Sequence, residues 1–265
     1  INLDRISMGI FAGQYFDARC GTQSGCEYDP PAASTRVRTR RVARRYGGLI
    51  LGLWTSAAQA DDLRIATYAA PLSRDGPGLL LRDIQKGEDE SLTAITVAIM
   101  QAAPDVLVLT DFDYDLDGLA LAAFAQGFDA RYPDLFAQRP NAGLATGHDI
   151  DGNGWTGDAR DAQGYGRFAG DGGIAILSRY PIEVDAVTDL STMLWRDLPN
   201  AVLPQVDGVP FFSPDILDIL RLSSSAHWIV PIRLPDDTLV SIMAFAATPP
   251  VFDGPEDMNG LRSRD

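Results

Sequence analysis

From Leu63 onward, hydrophobic and polar positions fall into short blocks whose period changes repeatedly, reading as strands and helices in turn. Leu63–Tyr68 (LRIATY) predicts a first strand. Pro71, Ser73, Asp75, Gly76 and Pro77 then mark a turn-rich segment, followed by an apolar stretch from Gly78 to Ile84 that suits a short helix. Ser91–Ala102 predicts a second helix, stopped by Pro104. Val106–Leu109 is a continuous apolar run too short for a helix and predicts a buried strand. Gly118–Gly127 returns to helix. This alternation predicts an α/β core rather than a pure β sandwich.

Residues 132–173 are rich in Gly, Asp, Asn and Pro with little periodicity, so they form either a long functional loop or an insertion. Strands resume at Ile174–Ser178 and Ile182–Val187, split by the turn Arg179-Tyr180-Pro181, and Asp215–Leu222 predicts a helix. Two further strands, His227–Leu234 and Leu239–Phe245, flank Pro235-Asp236-Asp237, a hairpin connection. No internal repeat and no linker divides this region.

The first 60 residues follow a different pattern. Six arginines (36, 38, 40, 41, 44 and 45) precede an apolar run from Leu49 to Trp54 and the small-residue ending Ala58-Gln59-Ala60. This predicts a signal peptide over residues 36–60, export to the periplasm or exterior, and cleavage after Ala60. The apolar run is too short to span a bilayer, which needs about 20 residues, so no stable membrane insertion is expected. Residues 1–35 show no sustained period and read as an unstructured or mis-called upstream segment. Both cysteines, Cys20 and Cys26, lie there, leaving none for a disulfide or thiol chemistry in residues 61–265.

Removing residues 1–60 takes away eight of the 22 Lys and Arg and four of the 36 Asp and Glu, leaving 14 against 32. A body that acidic repels a phosphate backbone, which argues against an efficient nuclease unless divalent cations invert the local field.

Several carboxylates fall in patterns that suit cations. Asp149, Asp151, Asn153 and Trp155 in HDIDGNGWTGD supply positions 1, 3, 5 and 7 of a calcium-type loop. Position 12 is Arg160, for which Asp158 or Asp161 can substitute; the alternative is a loop held by its own Asx turns. Asp111, Asp113, Asp115 and Asp117 alternate directly after the buried strand, which predicts Asp111 or Asp113 on a metal and Asp117 capping the next helix; the alternative is that Asp115 or Asp117 caps it and the rest are solvated. His227 reads as a core or rim residue and His148 as exposed. With no second histidine or cysteine near either, zinc is not expected. Gly170, Gly172 and Gly173 read as turn residues before a strand.

Taken in order, LRIATY, PDVLVLTDFD, GGIAILSRYPI, HWIVPIRL, TLVSIMAF and ATPPVFDGPED resemble the endonuclease/exonuclease/phosphatase superfamily, in particular a bacterial secreted branch. The resemblance covers the chain from Asp61 to its end. It implies a DNase I-like four-layer α/β/β/α fold of two packed mixed sheets flanked by helices. It also implies a metal-dependent phosphoric ester hydrolase using Mg²⁺ or Mn²⁺, with Asp111 standing where the family has its metal-binding glutamate. Ala69 stands where the family has an asparagine, and Ala246 where it has its catalytic histidine, so no catalytic residue is assigned. The chain stops at Asp265, before the Asp-x-Asn and Asp-His motifs that complete the family's active site, so the domain is expected to be incomplete here. Hydrolysis, if retained, is expected to be impaired. The alternative is a non-catalytic, Ca²⁺-stabilised extracellular binding module. The expected partner is a small phosphoester or lipid head group rather than nucleic acid, bound by a monomer.

Overall fold

The computed structural model describes residues 63–265; the expected signal peptide and both cysteines lie outside the described residues. The first strand, β1 (Ile65–Leu72), pairs in parallel with β2 (Val106–Phe112). The helices α1 (Leu79–Lys86) and α2 (Glu90–Ala102) form the crossover between them. Asp89 starts α2 by accepting from the Ser91 and Leu92 main-chain N–H groups at 2.8 and 3.3 Å, filling two of the orphan donors of the first turn. β1 runs on through Pro71, which is tolerated because β1 is an edge strand.

Helix α3 (Leu119–Gln126) follows β2, and the short β3 (Asp134–Phe136) and then β4 (Gly173–Ser178) complete a four-stranded mixed sheet of order β1-β2-β4-β3. β4 is buried along its whole length and pairs antiparallel with both neighbours. A strand covered on both faces needs an unbroken apolar run, which is how Ile174–Leu177 reads.

The second sheet has order β5-β8-β9: β5 (Thr188–Asp189), β8 (His227–Arg233) and β9 (Leu239–Phe245), all antiparallel. Between β5 and β8 lie a two-stranded ribbon, β6 (Gln205–Val206) with β7 (Val209–Pro210), and the short helix α4 (Pro214–Leu217). After β9 an irregular arch leads into α5 (Met258–Arg264), whose first turn is held by Asp253 accepting from the Asn259 and Gly260 N–H groups.

Two cores define the layers. On one face of the first sheet, Leu107, Leu109 and Leu177 pack against Ile95, Ile99 and Phe124 of the helices. The rings of Phe112, Phe124, Phe128 and Tyr132 meet edge to face in sequence, with centroids 5.2 to 5.8 Å apart. On the opposite face, Val106, Val108, Ile174 and Ile176 meet Trp228, Val230, Ile232, Ile242 and Ala244 of the second sheet. The two sheets are therefore packed on each other, with helices on the far side of the first. The outer face of the second sheet is open among the described residues, with Met243 and Phe245 exposed. A third cluster, Ile150, Trp195, Phe212 and Leu220, is joined by Met258 and Leu261 of α5.

Three sequence expectations change. Ile182–Val187 is not a continuous strand: Ile182 makes one bridge to Ile232, residues 184–186 form a 3-10 turn, and pairing resumes only at β5. The turn leaves Val184 exposed and delivers Thr188 opposite Ile229. The helix expected over Asp215–Leu222 stops at Leu217, because Leu220 turns into the third core and Arg221 bridges to Leu194. The long segment 132–173 is irregular as expected, yet its start contributes β3 to the sheet edge.

Candidate functional site

The ends of the two sheets meet through two adjacent residues. Pro140 abuts Gly173 at the start of β4, with its Cγ 3.1 Å from where a Cβ on Gly173 would lie. The Asn141 N–H donates to the Ser225 carbonyl just before β8, at 2.6 Å. The loops after β1 and β2 and before β4 and β8 therefore share one end of the sandwich. Phe112 closes β2 at this end, with Asp111 just before it.

Asp111 occupies a left-handed backbone conformation, φ 80°, a region that non-glycine residues enter rarely and at a cost of about 1–3 kcal/mol. This backbone kink coincides with a register shift between β2 and β4 and turns the Asp111 side chain outward. Ser73 donates to its carboxylate. Partial desolvation raises the Asp111 carboxyl and the negative charge of Asp171 raises it further, while Ser73, Arg167 and Arg74 pull it down. Opposite it stands Gly172, φ 62°, where a Cβ would come 2.8 Å from Asp111 Oδ1. Only glycine leaves that approach to the carboxylate free.

Asp113 plays a different part. It is buried, and its two oxygens accept from the Arg74 and Gly172 main-chain N–H groups at 2.8 and 3.1 Å. It thus ties the loop after β1 to the turn before β4, on either side of Asp111. The sequence pattern placed Asp113 beside Asp111 as a metal ligand; the structure turns its carboxylate inward to the backbone. Asp171 is likewise engaged, by the Arg167 guanidinium at 2.9 Å and the Arg167 N–H at 2.9 Å. Of these three carboxylates Asp111 alone is exposed.

Burial pushes the Asp113 carboxyl up to about 6. An isolated aspartate in an unfolded chain titrates near 3.9. The folded state therefore binds more protons than the unfolded state between these values, so this group's contribution to stability falls as pH rises from about 4 to 6 and is level above that. Asp113→Asn is expected to flatten that part of the profile. Melting temperatures of both proteins from pH 4 to 7, with chelator present, check it; parallel profiles would contradict it.

The alternating aspartates split differently from the expectation. Asp115, rather than Asp117, serves the start of α3, accepting from Leu119 and Ala120 N–H at 2.7 Å each. The tight turn at Gly118 brings Asp115 back over the helix end, while Asp117 is exposed.

The second acidic group is the loop 149–161. Asp149, Asp151 and Asp161 each offer one oxygen within 4.8 Å of the others. Asn153 bridges Asp151 and Asp158 through its amide, and Asp149 accepts from Asn153 and Gly154 N–H. Asp161 is buried and accepts from Ile150, Gly157 and Asp158 N–H, so its oxygens are fixed before any ion is present. Trp155 projects from the loop, 76% exposed. The third carboxylate of the cluster is thus Asp161, one residue beyond position 12, with Asp158 on the rim hydrogen-bonded to Asn153 and Arg160.

The substituted family positions are also placed. Ala69 pairs with Thr110, beside Asp111, and Ala246 follows β9 half-buried against the second core. His227 is half-buried on the outer face of the second sheet, stacked on Phe245 with centroids 5.0 Å apart, and desolvation lowers its pKa against the pull of Asp189. His148 is half-buried rather than exposed; its N–H donates to Thr146 Oγ1 and its carbonyl accepts from the same hydroxyl.

Sequence reasoning missed Asn141. It is buried, donates through Nδ2 to the Ser191 and Ser223 carbonyls at 2.7 Å, and accepts from Arg221. Its signal, RPNAG inside a loop-rich segment, has no period to mark it. Gly164, opposite, lies so close that a Cβ would overlap the Ser224 carbonyl. Gly164→Ala is expected to destabilise the protein by about 1–3 kcal/mol through backbone displacement, read from urea denaturation. A neutral result would show that the 163–164 and 223–225 segments do not touch.

A model of the endonuclease/exonuclease/phosphatase family matches residues 84–240, more than half of the chain. Among solved structures, an endonuclease/exonuclease/phosphatase from Beutenbergia cavernae DSM 12333 is similar, at 18% identity and TM-score 0.40, covering 70% of this chain and 38% of that one. This chain thus spans well under half of that protein's length. No curated protein matches. With its mixed α/β architecture and two packed sheets of the DNase I-like kind, the chain belongs to the endonuclease/exonuclease/phosphatase family.

Proposed function

We propose that this chain carries a metal-dependent phosphoric ester hydrolase site centred on Asp111, with hydrolysis slowed by alanine at positions 69 and 246. The observation that carries the reading is the exposed Asp111 carboxylate at the end of a buried strand, beside two carboxylates already engaged by protein donors. One exposed carboxylate, with Ser73 as a side-chain donor, suits Mg²⁺ or Mn²⁺, which keep several waters and take one or two carboxylates plus phosphate oxygens. A cation there would also relieve the repulsion between Asp111 and Asp171. The metal would supply Lewis-acid stabilisation of charge on the phosphoryl oxygens. Asp111 holds its place, Asp113 fixes the loops on either side, and Gly172 keeps the approach clear.

Without an imidazole at position 246, the proton transfers assigned to it fall to water. Positioned acid–base groups contribute about 10²- to 10⁴-fold, so turnover is expected to be low. The acidic body favours a small phosphoester or lipid head group over nucleic acid. The basic, apolar and small-residue succession in residues 36–60 supports export. The test is hydrolysis of bis-p-nitrophenyl phosphate with Mg²⁺ or Mn²⁺ and with chelator. Slow metal-dependent turnover is the expected outcome; equal rates with chelator would overturn the reading.

The cluster Asp149, Asp151 and Asp161 favours a second reading, a Ca²⁺-stabilised binding module without catalysis. Here Ca²⁺ is expected to raise the melting temperature of the wild type, and Asp151→Asn to remove most of that rise. An unchanged melting temperature with millimolar Ca²⁺ would dispose of a structural calcium loop.

A further inference from the structure

We propose that Arg221 and the Ser225 hydroxyl form a subsite for a phosphoryl group, at the same end of the sandwich as Asp111. Three observations carry it. First, Arg221 and Arg262 converge on the segment 221–223: Arg262 donates to the carbonyls of Leu222 and Ser223 at 2.8 and 3.3 Å, and to that of Arg221 itself. Among the described residues neither guanidinium meets a carboxylate, although residues 61–265 carry 32 acidic side chains against 14 basic ones. Arg262 is buried and spends its donors on these carbonyls and that of Gln163, so of the two it is Arg221 whose charge is left for an anion in so acidic a body.

Second, Arg221 is half-buried as a residue, and its guanidinium has one hydrogen bond, from Nη1 to Asn141 Oδ1 at 2.5 Å. That bond aims the fork and leaves its other donors for planar recognition of phosphate oxygens. Third, Ser225 Oγ is buried, with its residue 7% exposed, and has no hydrogen-bond partner. A second orphan hydroxyl, Thr248 Oγ1, lies buried just beyond β9, at the end of the hairpin where His227 pairs with Phe245. A buried hydroxyl without a partner is unfavourable and is expected where a ligand supplies the missing acceptor.

Asn141 joins the subsite to the Asp111 end: its N–H holds the Ser225 carbonyl, and its neighbour Pro140 abuts the start of β4. The subsite rests on the phosphoester reading and deepens it, giving the substrate's anionic group a protein donor besides the metal.

The test is inorganic phosphate titrated into the chain with chelator present, at constant ionic strength, followed by melting temperature. The wild type is expected to be stabilised. Ser225→Ala, which breaks no existing hydrogen bond of the side chain, should weaken phosphate binding about three- to tenfold. Arg221→Gln should weaken it about tenfold or more, with circular dichroism checking its fold. No stabilisation of the wild type, or unchanged affinity in Ser225→Ala, overturns the subsite. Because metal is absent, either failure leaves the Asp111 reading standing, and a Mn²⁺ titration reads that separately.

Discussion

Trp228→Ala is expected to destabilise the protein by about 3–5 kcal/mol, a large share of the stability of a domain this size. Trp228 is 1% exposed near the start of β8 and packs between the sheets. Its ring meets Phe136 of β3 edge to face, with centroids 5.1 Å apart, so it joins the outermost strand of the first sheet to the centre of the second. Truncation loses the transfer free energy of the indole and leaves a void that Val230 and Ala244, small and held by the ladder, cannot fill. Urea denaturation measures the loss. A change under about 1 kcal/mol would mean that the sheets do not pack face to face here.

The core of this fold was legible because its strands obey simple periods. Val106–Leu109 reads as buried for lack of polar positions, and β8 and β9 read almost to the residue because a hairpin turn, Pro235-Asp236-Asp237, separates two runs of alternating burial. Ile182–Val187 misled because an apolar β-branched pattern says nothing about the turn that a neighbouring strand imposes. The helix expected at Asp215 shortened for a similar reason, since tertiary packing of Leu220 overrode local propensity.

The site was partly legible. Asp111 drew attention because it follows a buried strand, and the oxygen spacing from Asp149 to Asn153 marked the second cluster. Period alone could not tell that Asp113 turns inward, because the left-handed step at Asp111 breaks the alternation on which the expectation rested. Asn141, Arg221 and Ser225 were invisible: Asn141 lies 80 or more residues before the other two, all three come from loops, and they meet only because both sheets end there.

Asp111→Asn is expected to lower metal-dependent hydrolysis by about 10²-fold or more, since a phosphoryl-polarising ion contributes several kcal/mol and this is its one exposed carboxylate. Asparagine tolerates the left-handed backbone nearly as well as aspartate, so the fold is expected to be kept. Asp111→Gly makes a stricter control: it relieves the strained φ, so the protein should be at least as stable while losing the metal. Loss of activity with loss of stability in both variants would point instead to a structural role.

The most direct measurement is a Mn²⁺ titration of the wild type, Asp111→Asn and Asp151→Asn, followed by the electron paramagnetic resonance signal of free Mn²⁺. A site at Asp111 predicts that one class of bound Mn²⁺ disappears in Asp111→Asn and persists in Asp151→Asn. Identical Mn²⁺ binding in the wild type and Asp111→Asn would contradict it.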